Sequence, residues 1–160
     1  MKIVFNSSPL IFLARLDFLT QFIESEDKFY LPQVVKEEIN AKNDEASAYI
    51  DNLIANNQLM VKGVKLVSLA NRLNDRLGQG ESEAIALGIE LQTDYIILDD
   101  FAARKQAIRL GLNVKGTLAV IRKLQLEHKI IIDNLEELYQ RLISINFRVR
   151  REVFDAIFWS

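Results

Sequence analysis

The chain has no cysteine, one histidine, one tryptophan, two prolines and six glycines in 160 residues. Without cysteine there is no disulfide framework and no thiolate metal site. A single histidine, His128, removes zinc centres and Cys/His nucleophiles from consideration. Its place at the end of a helical stretch suits a favourable C-terminal cation. Apolar runs are short and interrupted by charge, well below the roughly 18–20 residues that cross a bilayer. The opening Met1-Lys2-Ile3-Val4-Phe5-Asn6 contains no apolar h-region, so no signal peptide is expected. No Gly/Ser/Pro-rich stretch, repeat or low-complexity run divides the chain. One domain over 1–160 is therefore expected, with a C-terminal helical tail from about 133. An apolar content of 49% is enough for a substantial core.

Charge is unevenly distributed. Residues 1–100 hold 9 Lys/Arg against 16 Asp/Glu, whereas residues 101–160 hold 11 against 6. An acidic body with a basic final third suits an enzyme that binds cations in one place and phosphates in another, and equally suits solvated faces of differing sign.

Strand-like segments alternate with helical ones. Lys2–Asn6, Lys28–Leu31, Met60–Val67 (around Gly63), Tyr95–Leu98 and the residues from Val114 read as strands. Helices are expected over Leu10–Leu16, Phe18–Ile23, Pro32 to about Ala41, 45–56, Leu69–Leu77, Glu81–Leu91, Phe101–Leu110 and Thr117–His128. A further helix follows a cap at Asp133, and another begins at Arg151. Ser8 is placed to cap the first helix with Pro9 at its first position, and Gly111 to terminate the seventh. Gly78-Gln79-Gly80 reads as a helix-breaking linker. Such alternation predicts an α/β fold, a mainly parallel sheet covered on both faces.

Acids that intrude on apolar faces are the informative ones, because an unpaired carboxylate there is costly. After Pro32, the stripe Leu31, Val34, Val35, Ile39 contains Glu38, while Glu37 points away. After Gly80, Glu81 shares a face with Ala84, Ile85, Leu87, Gly88 and Leu91, whereas Glu83 lies opposite with Glu90. Glu81 in the first turn also suits the helix dipole with no further role. Asp99 and Asp100 follow an apolar strand and Asn6 ends another, the strand ends where ligands gather in parallel sheets. One of the aspartates can cap the next helix while the other faces a site. Hard oxygen donors of this kind suit Mg²⁺ or Mn²⁺. Arg104, Lys105 and Arg109 follow the aspartates and are candidate phosphate contacts, or simply a solvated helix face. The apolar tail Val153, Phe154, Ile157, Phe158, Trp159 has helical spacing and is expected to pack on the domain or to form a partner surface.

The ordered pieces Asn6-Ser7-Ser8-Pro9-Leu10-Ile11, Leu31-Pro32 through Glu37-Glu38-Ile39, Gly80-Glu81-Ser82-Glu83-Ala84-Ile85, Leu98-Asp99-Asp100 with Ala103-Arg104, and Gly111-Leu112 leading to Gly116-Thr117-Leu118 resemble the PIN-domain nuclease family. Within it they resemble the toxin-type branch that opens with Asn-Ser-Ser-Pro-Leu-Ile. The resemblance spans residues 3 to about 120. It implies a three-layer fold, Mg²⁺- or Mn²⁺-dependent cleavage of RNA by Asn6, Glu38, Glu81, Asp99 and Asp100, and support from Ser8, Glu83 and Thr117. It also implies a cytoplasmic, homodimeric toxin held by a small antitoxin protein. Most of the family carries aspartate where Asn6 stands. The neutral amide removes one negative charge from the site, which leaves open a protein that binds RNA or a partner and cleaves nothing.

Overall fold

The computed structural model describes residues 1–159. Its β-branched and aromatic stretches become five short strands: β1 (Lys2–Phe5), β2 (Lys28–Pro32), β3 (Met60–Lys62), β4 (Tyr95–Ile97) and β5 (Val114–Lys115). All neighbours pair in parallel in the order β3-β2-β1-β4-β5. Parallel strands are buried on both faces, which explains their nearly continuous apolar runs.

Alternation along each strand sorts the core into two layers. Ile3, Phe5, Phe29, Leu31, Tyr95 and Ile97 face one layer, with α1 (Ser7–Arg15), α2 (Leu19–Ile23), α3 (Gln33–Lys42), α4 (Glu45–Ala55), α8 (Thr117–Leu126), α9 (Leu135–Ser144) and α10 (Arg151–Phe158). Val4, Tyr30, Ile96 and Leu98 face the other, with α5 (Val67–Asn74), α6 (Gln79–Glu90) and α7 (Phe101–Arg109). The three-layer α/β architecture expected from the sequence is what forms. Among the described residues no helix is long and apolar enough to cross a membrane.

Several boundaries differ for physical reasons. Asn6, not Ser8, holds the extended N-cap position of α1, so Pro9 is third in the helix. Pro32 closes β2 and precedes α3 rather than opening it. The stretch after Lys62 leaves the sheet, and Glu90 accepts the amides of Lys65 and Leu66 there, substituting for strand pairing. Asn134 rather than Asp133 caps α9, its side chain accepting from Glu137 N. α8 ends at Leu126, and His128 sits beyond it with φ +58°. α6 is buried nearly all round, Ser82 and Ala86 included, so its apolar character is wider than one face.

The chain builds outward from β1 through β2 and β3, then returns to lay β4 on the other side of β1. At such a reversal the connections leave in opposite directions, opening a crevice beyond the C-terminal ends of the two strands. Asn6 follows β1 and Asp99-Asp100 follow β4, placing both at this crevice.

Candidate functional site

A cavity of about 690 Å³ opens there, lined by Asn6, Ser8, Glu38, Glu81, Asp99 and Asp100 among others. α1, α6, α7 and α8 all begin at residues lining it or next to those residues. Four helix starts bring partial positive charge and free N–H groups to one place, which favours anions there.

Asn6 is 6% exposed, and its Oδ1 has no hydrogen-bond partner. An N-cap asparagine ordinarily accepts from the second or third helical N–H. The third helical residue here is Pro9, which has no N–H to give. A buried amide oxygen without a partner costs on the order of 1–3 kcal/mol, and this one belongs to a residue that lines the cavity.

The carboxylates crowd one another. Glu81 is shifted upward by burial, with the Gly78 N–H pulling it back and Asp100 and Glu38 raising it further. Its Oε1 accepts from Gly78 N at 3.1 Å, so the third residue of α6 satisfies the N–H of its N-cap, a glycine with no side chain to return the bond. Glu38 is also raised, by burial and then by Glu83, against a lowering by Lys42. Glu38 is exposed as a residue, so the burial that raises its carboxyl is partial. Glu37 is exposed and does not line the cavity. Glu83 is half-buried, accepts from Gln79 at 3.2 Å and stays outside the lining.

Asp99 and Asp100 divide their work. Asp100 caps α7 through Oδ2, accepting from Ala103 N at 2.9 Å. Asp99 accepts from Thr117 N at 2.8 Å and from Thr117 Oγ1 at 2.5 Å, which ties the end of β4 to the start of α8. Burial pushes Asp99 up, while the Thr117 bonds and Arg104 pull it down. Thr117 is fully buried and acts on Asp99 rather than lining the cavity. Ser8 is exposed, lines the cavity and makes no hydrogen bond within the first motif among the described residues.

Three glycines make room for these acids. A Cβ at Gly80 would lie 1.9 Å from Glu38 Oε1, one at Gly78 2.9 Å from Glu81 Oε1, and one at Gly116 2.7 Å from Arg104 Nη1 and 3.0 Å from Asp99 Oδ1. Gly78 and Gly80 are thus the N-cap and second residue of α6, and their small size seats two carboxylates. The linker reading missed this, because a gap left for a side chain from elsewhere in the chain leaves no mark on local spacing.

Of the basic candidates, Arg104 lines the cavity and donates through Nη1 to Leu98 O at 3.0 Å, while Lys105 and Arg109 are exposed on α7 away from the lining. Sequence reasoning did not reach the opposite contribution, in which Phe147, Arg148, Val149, Val153 and Ile157 also line the cavity. The alternation Ile145, Phe147, Val149 was the available signal for an extended one-faced segment. The tail splits: Phe154 and Phe158 pack into the core, whereas Trp159 is exposed.

Among the described residues no three acidic side chains already stand as a cage for one metal ion. Magnesium-type cations bind through one or two carboxylates and keep several waters. The donor set fits such a partly hydrated cation: mutually repelling carboxylates and an amide oxygen lacking any partner.

A family model, DUF3368: PIN domain, matches residues 2–159. The chain belongs to the PIN-domain family. PIN domains are generally nucleases that act on RNA and typically use divalent metal. A solved PilT N-terminus domain protein from the hyperthermophilic archaeon Sulfolobus solfataricus P2 is similar over 84% of this chain and 98% of its own, with 18% identity and a TM-score of 0.53. That likeness concerns the fold. No curated protein matches the sequence.

Proposed function

We propose that this PIN domain is a Mg²⁺- or Mn²⁺-dependent endoribonuclease whose cation is held by the set Asn6, Glu38, Glu81, Asp99 and Asp100, one or two of the carboxylates directly and the others through its waters. The observation that carries the reading is the partnerless Asn6 oxygen in a cavity shared with four carboxylates. When bound, the cation supplies charge neutralisation at the phosphate and activation of the attacking water. Asn6 presents its amide oxygen, fixed by its place at the end of β1. Asp99 is held rigid by Thr117, and Glu81 by the Gly78 amide. Arg104 and the helix starts orient the phosphate. Glu38, raised by burial and then by Glu83 and more exposed than Glu81 or Asp99, is the carboxylate that exchanges a proton with water in this reading.

The first-motif resemblance supports a cytoplasmic toxin of a toxin–antitoxin pair, working as a homodimer under a small antitoxin. A second reading has its own observation. Because residue 6 is an amide, the site has one charge fewer than most of the family, which favours a weak or inactive PIN domain that binds RNA or protein. Cleavage of a mixed-sequence RNA with Mn²⁺, by wild type beside Glu38→Gln and Glu81→Gln, separates them. Loss of cleavage in both variants supports the nuclease, and equal cleavage by all three sinks it. An inactive wild type that gains cleavage on Asn6→Asp supports the second reading.

A further inference from the structure

Of nine phenylalanines, eight are buried or half-buried and one, Phe101, is 80% exposed. It directly follows Asp100, occupies the first position of α7 and lines the acidic cavity. No other ring packs against it among the described residues. Arg148 lines the same cavity, is exposed, and has no ion pair among the described residues. Val153, 41% exposed, and half-buried Ile157 line it as well.

An open ring beside a cation site and an unpaired guanidinium suits a ligand with a planar π-face and an adjoining phosphate. We propose that Phe101 is a nucleobase-stacking residue: it holds the face of the base next to the phosphodiester at the acids, with Arg148 on the adjoining phosphate and Val153 and Ile157 against the sugar. This rests on the ribonuclease reading above. The charge pattern favours a nucleotide over an apolar peptide, since a peptide leaves the arginine unmatched. A base inside a duplex has both faces covered by its neighbours, so the site takes an unpaired residue.

The test is a fluorescence titration of the full chain with a short single-stranded RNA carrying one 2-aminopurine, with Ca²⁺ in place of Mg²⁺ to hold off cleavage. Stacking quenches the probe. Phe101→Ala is expected to weaken binding about tenfold and abolish the quench, while Phe101→Trp retains both. Ile108→Ala, an exposed residue on the same helix, should leave binding unchanged. Phe101 and Ile108 are surface positions, so melting temperatures serve as the folding control. Equal binding by Phe101→Ala, or a quench that survives it, overturns the subsite and leaves the nuclease reading standing. A Phe101→Ala change in sedimentation with unaltered RNA binding assigns the ring to self-association and also overturns it. No RNA binding by the wild type overturns the ribonuclease reading itself, and the subsite with it.

Discussion

The two ends of the same sheet treat their carboxylates in opposite ways. At the N-terminal end, Asp94 accepts from Lys2 N at 2.7 Å and Asp27 pairs with the chain's amino terminus at 3.0 Å. Both of these acids have a donor or a cation of their own. At the C-terminal end, Glu81 meets Asp100 and Glu38, and Glu38 meets Glu83, all of like charge. The first arrangement is what a stable sheet edge looks like. The second keeps donors for Glu81, Asp99 and Asp100 yet sets the acids against one another, as is expected where a ligand of opposite charge completes the group.

The sharpest way to break the contrast is Gly80→Ala. The added methyl occupies the seat of the Glu38 carboxyl. Cleavage should fall about 10- to 100-fold, as for loss of a group that orients a ligand. Stability should hold or rise by up to about 1 kcal/mol, because alanine is the better helix former and the displaced group is the free end of a side chain. Steady-state cleavage and thermal melting of one preparation check both signs.

That glycine also marks how far the sequence can be read. The strand ends, and hence Asn6 and the aspartate pair, were legible because apolar runs ending in polar residues are local signals. Helical phase pointed to Glu38, which lines the cavity, but its premise of a core-facing acid did not hold: Glu38 is an exposed residue, as Glu37 is, and only Val35 and Ile39 of α3 are buried. Seats and walls contributed from elsewhere were not legible. Gly80 meets Glu38 across 42 positions, and segment 146–157 reaches the cavity only once α10 has packed Phe154 and Phe158 into the core. The N-cap positions were displaced by two residues at α1 and by one at α9, where Asn134 and its neighbour Asp133 are residue types equally able to cap.

Thr117→Val comes next in size. It removes the hydroxyl bond to Asp99 while keeping volume, and hydrogen bonds to charged groups contribute about 1.5–3 kcal/mol. Unfolding in urea should show a loss in that range, with cation affinity falling about tenfold as Asp99 loses its orientation.

Acidification probes the contrast without mutation. Glu38, Glu81 and Asp99 have folded pKa values above their ordinary ones. Between the ordinary and raised values the folded state binds more protons than the unfolded, so these groups lower stability as pH rises through that window. Melting of the cation-free protein should therefore improve as pH falls from neutrality toward the ordinary carboxylate range. Glu81→Gln should flatten the trend. Asp44, lowered by the Ser47 amide and by Arg15, acts oppositely, its stabilisation being lost only below the ordinary aspartate value.

Asp94→Asn at the quiet end is the smallest. Asparagine keeps an oxygen for Lys2 N, so stability should change by no more than about 0.5 kcal/mol and cleavage not at all. A large loss of cleavage there would mean that the two ends are not functionally distinct.

The central claim is that the crowded carboxylates and the partnerless Asn6 oxygen are held together for a divalent cation. Calorimetric titration of the cation-free protein with Mn²⁺, repeated as pH falls from neutrality toward the ordinary carboxylate range, tests it most directly. Binding that weakens as pH falls and is lost in Glu81→Gln is the predicted result. Heat no greater than dilution across millimolar Mn²⁺, with an unchanged melting temperature, would contradict it.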